Sequence, residues 1–153
     1  MKHLFKKGAF PEEFWPISLS EAITAESLAY MDKTAGYLKP LDTDANAEYC
    51  VGVCMDEVPV NIYGTDVTPN PPQLRARVCR IGQFSFKATA GDSYESGDKV
   101  FIGADEQTIT STVGGNTHSV GYVSGEQDTI ATATATDRVL VCVRAPYPAT
   151  PMN

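Results

Sequence analysis

Residues 24–53, TAESLAYMDKTAGYLKPLDTDANAEYCVGV, and residues 93–123, SYESGDKVFIGADEQTITSTVGGNTHSVGYV, carry the same order of features, and this near-repetition restricts the fold more than any single residue does. Tyr30 and Met31 stand where Phe101 and Ile102 stand in the second stretch. A short polar turn follows each, KTAG or ADEQ, then a second short strand, YLKPL or TITST, and a polar loop, DTDANAE or VGGNTH. Each stretch closes on an apolar-Gly-apolar run, YCVGVC or SVGYVS. Strand, tight turn, strand, loop and glycine-containing strand make one supersecondary unit, which cannot bury its apolar face alone and so pairs with another. Two similar hairpin units predict a small β-barrel or sandwich.

The rest of the chain fits an all-β reading. TPNPP cannot be a paired central strand, because Pro69, Pro71 and Pro72 have no N–H to donate, so it is expected as a protruding loop or an edge. Residues 74–88 alternate imperfectly and read as one or two strands, with Gly82 a candidate bulge. DTIATATATD is either a strand with a threonine face or a surface loop, and RVLVCVRA is a final strand. Ser18 followed by Glu21 satisfies the capping-box spacing, which predicts a turn or a single helical turn there. The expected organisation is an extended arm over residues 1–18, a β domain over 19–145 and a Pro-rich extended tail over 146–153. The arm holds Phe5, Phe10, Phe14 and Trp15 interleaved with Pro11 and Pro16, so its aromatics need something to bury against, either their own domain or a neighbour.

Length and charge bound the function. A chain of 153 residues fits one domain with a real core. The formal charge of −7 sets the chain as a whole against phosphate backbones, and so against direct nucleic-acid binding. Lys2, Lys6 and Lys7 form a local exception; Arg75, Arg77 and Arg80 do not make a stripe, because on a strand Arg80 points away from the other two. The basic start has no apolar run of signal-peptide length behind it, and no segment reaches the ~20 apolar residues of a membrane span, so a soluble chain made in the cytosol is expected. Cys50, Cys54, Cys79 and Cys142 then read as small buried hydrophobes rather than disulfides. A zinc site on Cys50 and Cys54 meets a geometric objection, since four residues of strand span about 13 Å, although a bulge at Gly52 would shorten that reach.

The chemistry-bearing residues do not converge. His3 lies in the terminal segment and His118 in a loop at a strand edge, where a solvated or turn-stabilising role is expected. No nucleophile elbow, phosphate loop or metalloprotease helix motif occurs, and the adjacent carboxylates Glu12–Glu13, Asp56–Glu57 and Asp105–Glu106 point to opposite faces on a strand. No catalytic residue, metal ligand or cofactor is assigned.

The run from FSFKATAGDSYESGDKVFIGADEQTITST through SVGYVSG to DRVLVCVRAP, preceded by EAITAESLAYMD and CVGVCMDE, resembles the tailed-bacteriophage head decoration, or capsid cement, proteins. The likeness covers residues 19–145 and rests on Gly97, Asp98, Val100 and Phe101 at a strand entry, the following T-x-T strand, the Gly-containing strand, and Val139, Val141 and Val143 at the end. Glu26, Ser27 and Ala29 of the first stretch depart from that entry pattern. The resemblance implies a compact β-barrel or β-tulip-like domain without enzymatic activity or cofactor. It implies a homotrimer on the outer surface of the virion head, bound to the major capsid protein. Aromatic anchors dominate interface energy, so Phe5, Phe10, Phe14, Trp15 and Tyr147 are the candidate contacts to capsid or neighbouring subunit. Two rivals are a carbohydrate-binding or adhesin module, with Trp15 and Tyr147 stacking on sugars, and a small barrel enzyme whose site forms between subunits.

Overall fold

The computed structural model describes residues 12–18, 21–59, 74–104 and 107–148. The chain is nearly all β, with ten strands and one short helix among these residues. The first five strands are β1 (Glu12–Pro16), β2 (Ser27–Asp32), β3 (Tyr37–Pro40), β4 (Cys50–Cys54) and β5 (Arg75–Cys79), with helix α1 (Asp44–Ala47) between β3 and β4. The last five are β6 (Ile81–Ala88), β7 (Lys99–Ile102), β8 (Thr108–Thr110), β9 (Gly121–Val123) and β10 (Arg138–Arg144).

The first set makes an open sheet in the order β1-β5-β4-β2-β3, and the second a closed barrel in the order β10-β6-β8-β7-β9. Read round the ring, the barrel runs β6-β10-β9-β7-β8, which is the order of the open sheet. The barrel closes through a parallel pairing of β6 with β8, Lys87 to Thr108 and Ala88 to Ile109. Pro16 takes the place of Lys87 in the open sheet: it faces Arg75 across the β1–β5 pair as Lys87 faces Arg138 across β6–β10. With Pro40 on β3, both edge strands of the open sheet carry a proline, which fits them to a sheet edge and blunts them as templates for further pairing.

Hydrogen bonds repeat between the two sets. Ile17 N–H donates to Leu74 O as Ala88 N–H donates to Asp137 O. Glu26 N–H donates to Cys54 O as Gly97 N–H does to Val123 O. Isolated bridges join Ile23 to Val58 and Tyr94 to Ile130. Glu26 and Gly97 both take left-handed φ, as do Gly36 and Gln107 at the two hairpin turns.

Two apolar clusters hold the molecule together. One lies inside the open sheet: Ile23, Ala29, Leu38, Val51, Cys54, Val58, Ala76 and Val78. The other fills the barrel with Tyr94, Val100, Ile109, Val120, Val123, Val139 and Val141, and takes in Leu28, Tyr30, Leu41, Ala47, Cys50 and Val53 from the first sheet. Alternation on the strands sorts these residues. Ala29 faces inward on β2, while Leu28 and Tyr30 face outward onto the barrel.

Several local expectations are refined. The polar loop 42–48 contains the helical turn α1, capped by Thr43, whose hydroxyl accepts from Asn46 N–H. The Ala/Thr run is a loop with one bridge, at Ile130. The register of β6 against β10 runs unbroken past Gly82, and the irregularity lies instead between β2 and β4, where Ala29 pairs with Gly52 and Tyr30 with Cys50. Part of the segment read as an extended arm, Glu12–Pro16, is the edge strand β1. Residues 68–72 of the proline-rich loop lie outside the described residues.

Candidate functional site

The bulge on β4 decides what the cysteines can do. In a regular strand Cys50 and Cys54 would share a face; here the extra residue turns Cys50 toward the barrel and leaves Cys54 inside the open sheet. The two thiols therefore cannot converge on one ion. Burial pushes Cys50 up to about 12 and also raises Cys54 and Cys79. Cys54 and Cys79 donate weakly to Asp56 O and Ile81 O at 3.3 and 3.1 Å. Among the described residues no group of three His, Cys, Asp or Glu is placed to hold a metal.

His118 is part of a loop clasp. The Asp44 carboxylate at the start of α1 accepts from Thr117 N–H, Thr117 Oγ1 and His118 N–H at 3.0–3.1 Å. The His118 ring Nδ1 lies 3.1 Å from Asp44 O. Burial works against the charged carboxylate, but these donors hold Asp44 below the usual range. A second tie is the Gln107 side chain, which accepts from Leu28 N–H at 2.7 Å and donates to Leu28 O and Leu41 O at 3.1 Å. Of the adjacent carboxylates, Glu12 and Glu13 separate as the alternation on β1 requires, and Asp105–Glu106 lies outside the described residues. Glu12 lies 3.8 Å from Arg77, and Glu13 3.7 Å from Arg80.

The most distinctive surface feature is the corner where β1 meets the segment after β10. Trp15 and Tyr147 come together, ring centroids 6.2 Å apart, and Tyr147 meets Tyr49 edge-on at 5.3 Å. Lys33 Nζ lies 5.5 Å from the Tyr49 ring centroid. Tyr147 N–H donates to Cys50 O, and Arg80 Nη2 donates to Ala145 O and Pro148 O, so the segment after β10 is pinned to the sheet. Arg80 Nε is buried without a hydrogen-bond partner, the Glu13 carboxylate at 3.7 Å being its closest counter-charge.

Phe14 does not join this group. Adjacent residues on β1 face opposite ways, so Trp15 packs on the cluster inside the open sheet while Phe14 stands 62% exposed, opposite Arg77. Phe5 and Phe10 lie outside the described residues. Beside Tyr49 an open groove of about 330 Å³ is lined by Tyr30, Met31, Asp32, Lys33, Thr34, Asn46 and Tyr49. Sequence reading missed Tyr49, Lys33 and Arg80, whose roles depend on contacts between distant strands that no local pattern encodes.

No family model matches the chain, and no curated protein or solved structure does either.

Proposed function

We propose that this chain is a non-enzymatic capsid decoration protein that binds the outer surface of a tailed-phage head as a homotrimer and braces neighbouring major capsid protein subunits. In this reading the body is two copies of one five-strand unit. The eight residues inside the open sheet match Tyr94, Val100, Ile109, Val120, Val123, Ile130, Val139 and Val141 of the barrel in strand position. A stiff double unit of this kind suits a clamp, which needs shape and contact area rather than a deep pocket.

The observation that supports the reading is the meeting of β1 with the segment after β10. β1 and the segment after β10 leave the body at one corner, through Trp15, Tyr147 and Arg80. This corner, together with the exposed Phe14 on the outer side of β1, is the contact region for a large partner in this reading. The structure also sharpens the test: removing residues 2–15 would take away most of an edge strand, so the informative variants are a deletion of 2–11 and Phe14→Lys. With thermal midpoints retained, each should weaken co-sedimentation with expanded heads by about tenfold or more, as loss of an interface anchor does. Undiminished binding by both overturns the assignment of contacts.

A second reading, glycan binding, is favoured by the Tyr30–Tyr49 groove, which sets two tyrosines beside an amide, a carboxylate and an ammonium. It requires calorimetric titration with host-surface sugars to give saturable heat that Tyr49→Ala abolishes.

A further inference from the structure

The two sheets present matching outer faces, and one of them is covered more completely than the other. On β2 and β4 the outward residues are Leu28, Tyr30, Cys50 and Val53, all buried against the barrel. Strand pairing gives their counterparts on β7 and around β9. Val53 pairs with Cys79 as Tyr122 pairs with Cys142, and Gly52 and Gly121 meet the backbone at Cys79 and at Cys142 in the same way. The counterpart face is thus Lys99, Phe101, Ser119 and Tyr122, continued across β10 and β6 by Cys142, Leu140 and Ile81.

This second face is not sealed. Phe101, like its counterpart Tyr30, is buried, but Val53 is fully buried whereas Tyr122 is 40% exposed, and Ile81, two strands away on β6 and opposite Arg144, is 52% exposed. The buried Cys79 has the half-buried Cys142 as its counterpart. The charges differ too. Arg77 on β5 is held by Asp56 at 3.0 Å and lies near Glu12. Leu140, Gly125 and Gln83 occupy the three matching positions in the second set, so those positions carry no charge, while Arg138 and Arg144 flank Leu140 and Cys142 on the same side of β10.

We propose that the outer face of β9, β10 and β6, centred on Tyr122, is the contact for a second copy of this chain. The partner surface is the one that the barrel already offers to the first sheet within the chain, in its version on the open sheet. On the barrel that surface includes the β7–β8 turn, where Gln107 grips Leu28 and Leu41; its counterpart on the open sheet is the β2–β3 turn at Lys33–Gly36. Covered face to turn is a heterologous contact, and repeating it from copy to copy closes a ring when the rotation allows. The occupant is a second copy because the chain itself displays that docking between its two sheets. The polar counterparts Lys99 and Ser119, in place of Leu28 and Cys50, fit a contact made between separately folded chains rather than a permanent core. This inference rests on the homo-oligomer part of the reading above and names its surface.

The experiment is light scattering of the full chain over a concentration series, with maleimide labelling of Cys142 followed by mass spectrometry. The wild type should reach a mass above one chain, and Cys142 labelling should slow by about tenfold once the free concentration is ten times the dissociation constant. Tyr122→Lys should return the mass to one chain and restore labelling, with an unchanged thermal midpoint. Val113→Lys, which alters an exposed residue away from this face, should assemble like the wild type. An assembled wild type with fast Cys142 labelling, or a Tyr122→Lys variant that assembles normally, overturns the face while leaving the oligomer. A wild type that stays single at every concentration overturns the oligomer as well, while capsid binding is decided separately by sedimentation with heads.

Discussion

At the scale of single residues, a left-handed backbone precedes both β2 and β7, with different residues in it. Gly97 takes φ +93 at the entry to β7, and Glu26 takes φ +65 at the entry to β2. A side chain in the left-handed region costs about 1 kcal/mol, so Glu26→Gly should raise the free energy of unfolding in denaturant modestly, by up to that amount. Gly121 behaves oppositely. A Cβ there would lie 2.2 Å from Cys142 O, so Gly121→Ala should destabilise by about 3 kcal/mol or prevent folding, read by chemical denaturation. The glycines at these strand positions were legible in the sequence because both stretches end on apolar-Gly-apolar. That Glu26 mimics Gly97 was not legible, since a glutamate carries no sign of its φ. Titration acts at this scale too. Backbone and side-chain donation from Arg77 outweighs burial and holds Asp56 below the usual carboxylate range, and the Asp44 clasp does the same. A depressed folded pKa means that the unfolded chain binds more protons in acid, so this stability is present above about pH 4 and is lost as pH falls through the folded values. Asp44→Asn should flatten the acid limb of a stability-versus-pH curve, and a slope equal to the wild type would show that the clasp contributes nothing to it.

Elements differ from residues in what their sequence reveals. Strands such as β10 alternate cleanly and were readable, with Val139, Val141 and Val143 inward. The β2–β3 and β7–β8 hairpins were readable from their turns. Helix α1 was hidden because four residues give no periodicity, and its Thr43 cap looks like any polar loop. The aromatic arm was half legible: the prolines excluded a central strand, and β1 is an edge strand, but its pairing with β5 depends on residues some sixty positions away. The tie between the elements is Gln107, whose amide satisfies three backbone groups of the first sheet. Gln107→Ala removes that partner from Leu28 N–H and Leu41 O, while Leu28 O keeps its bond from Leu41 N–H, so a loss of about 1–3 kcal/mol in denaturant unfolding is expected. An effect below a few tenths of that would mean that water or rearranged backbone replaces the amide.

For the whole molecule, the feature that matters is the contrast between its two sheets. One is a closed barrel and the other an open sheet with proline-marked edges; the outer side of β2 and β4 is buried within the chain, whereas Tyr122 on β9 is 40% exposed. The β character was legible from the turns and short apolar runs, but not which sheet face would be covered, because coverage depends on how the sheets dock. The candidate contacts show the same limit. Trp15 and Tyr147 could be picked out as aromatics near the ends, but their meeting at one corner, with Phe14 turned outward, follows from the pleat of β1 and the pinning of the segment after β10 by Arg80. The capsid reading is tested most directly by mixing purified protein with expanded heads of a tailed phage that lack their own decoration protein, pelleting the heads, and measuring bound chains per capsid subunit. The account expects saturable binding at a fixed ratio together with heads that resist heat and chaotropes better than bare ones. Protein left wholly in the supernatant at every ratio, with head stability unchanged, would contradict it.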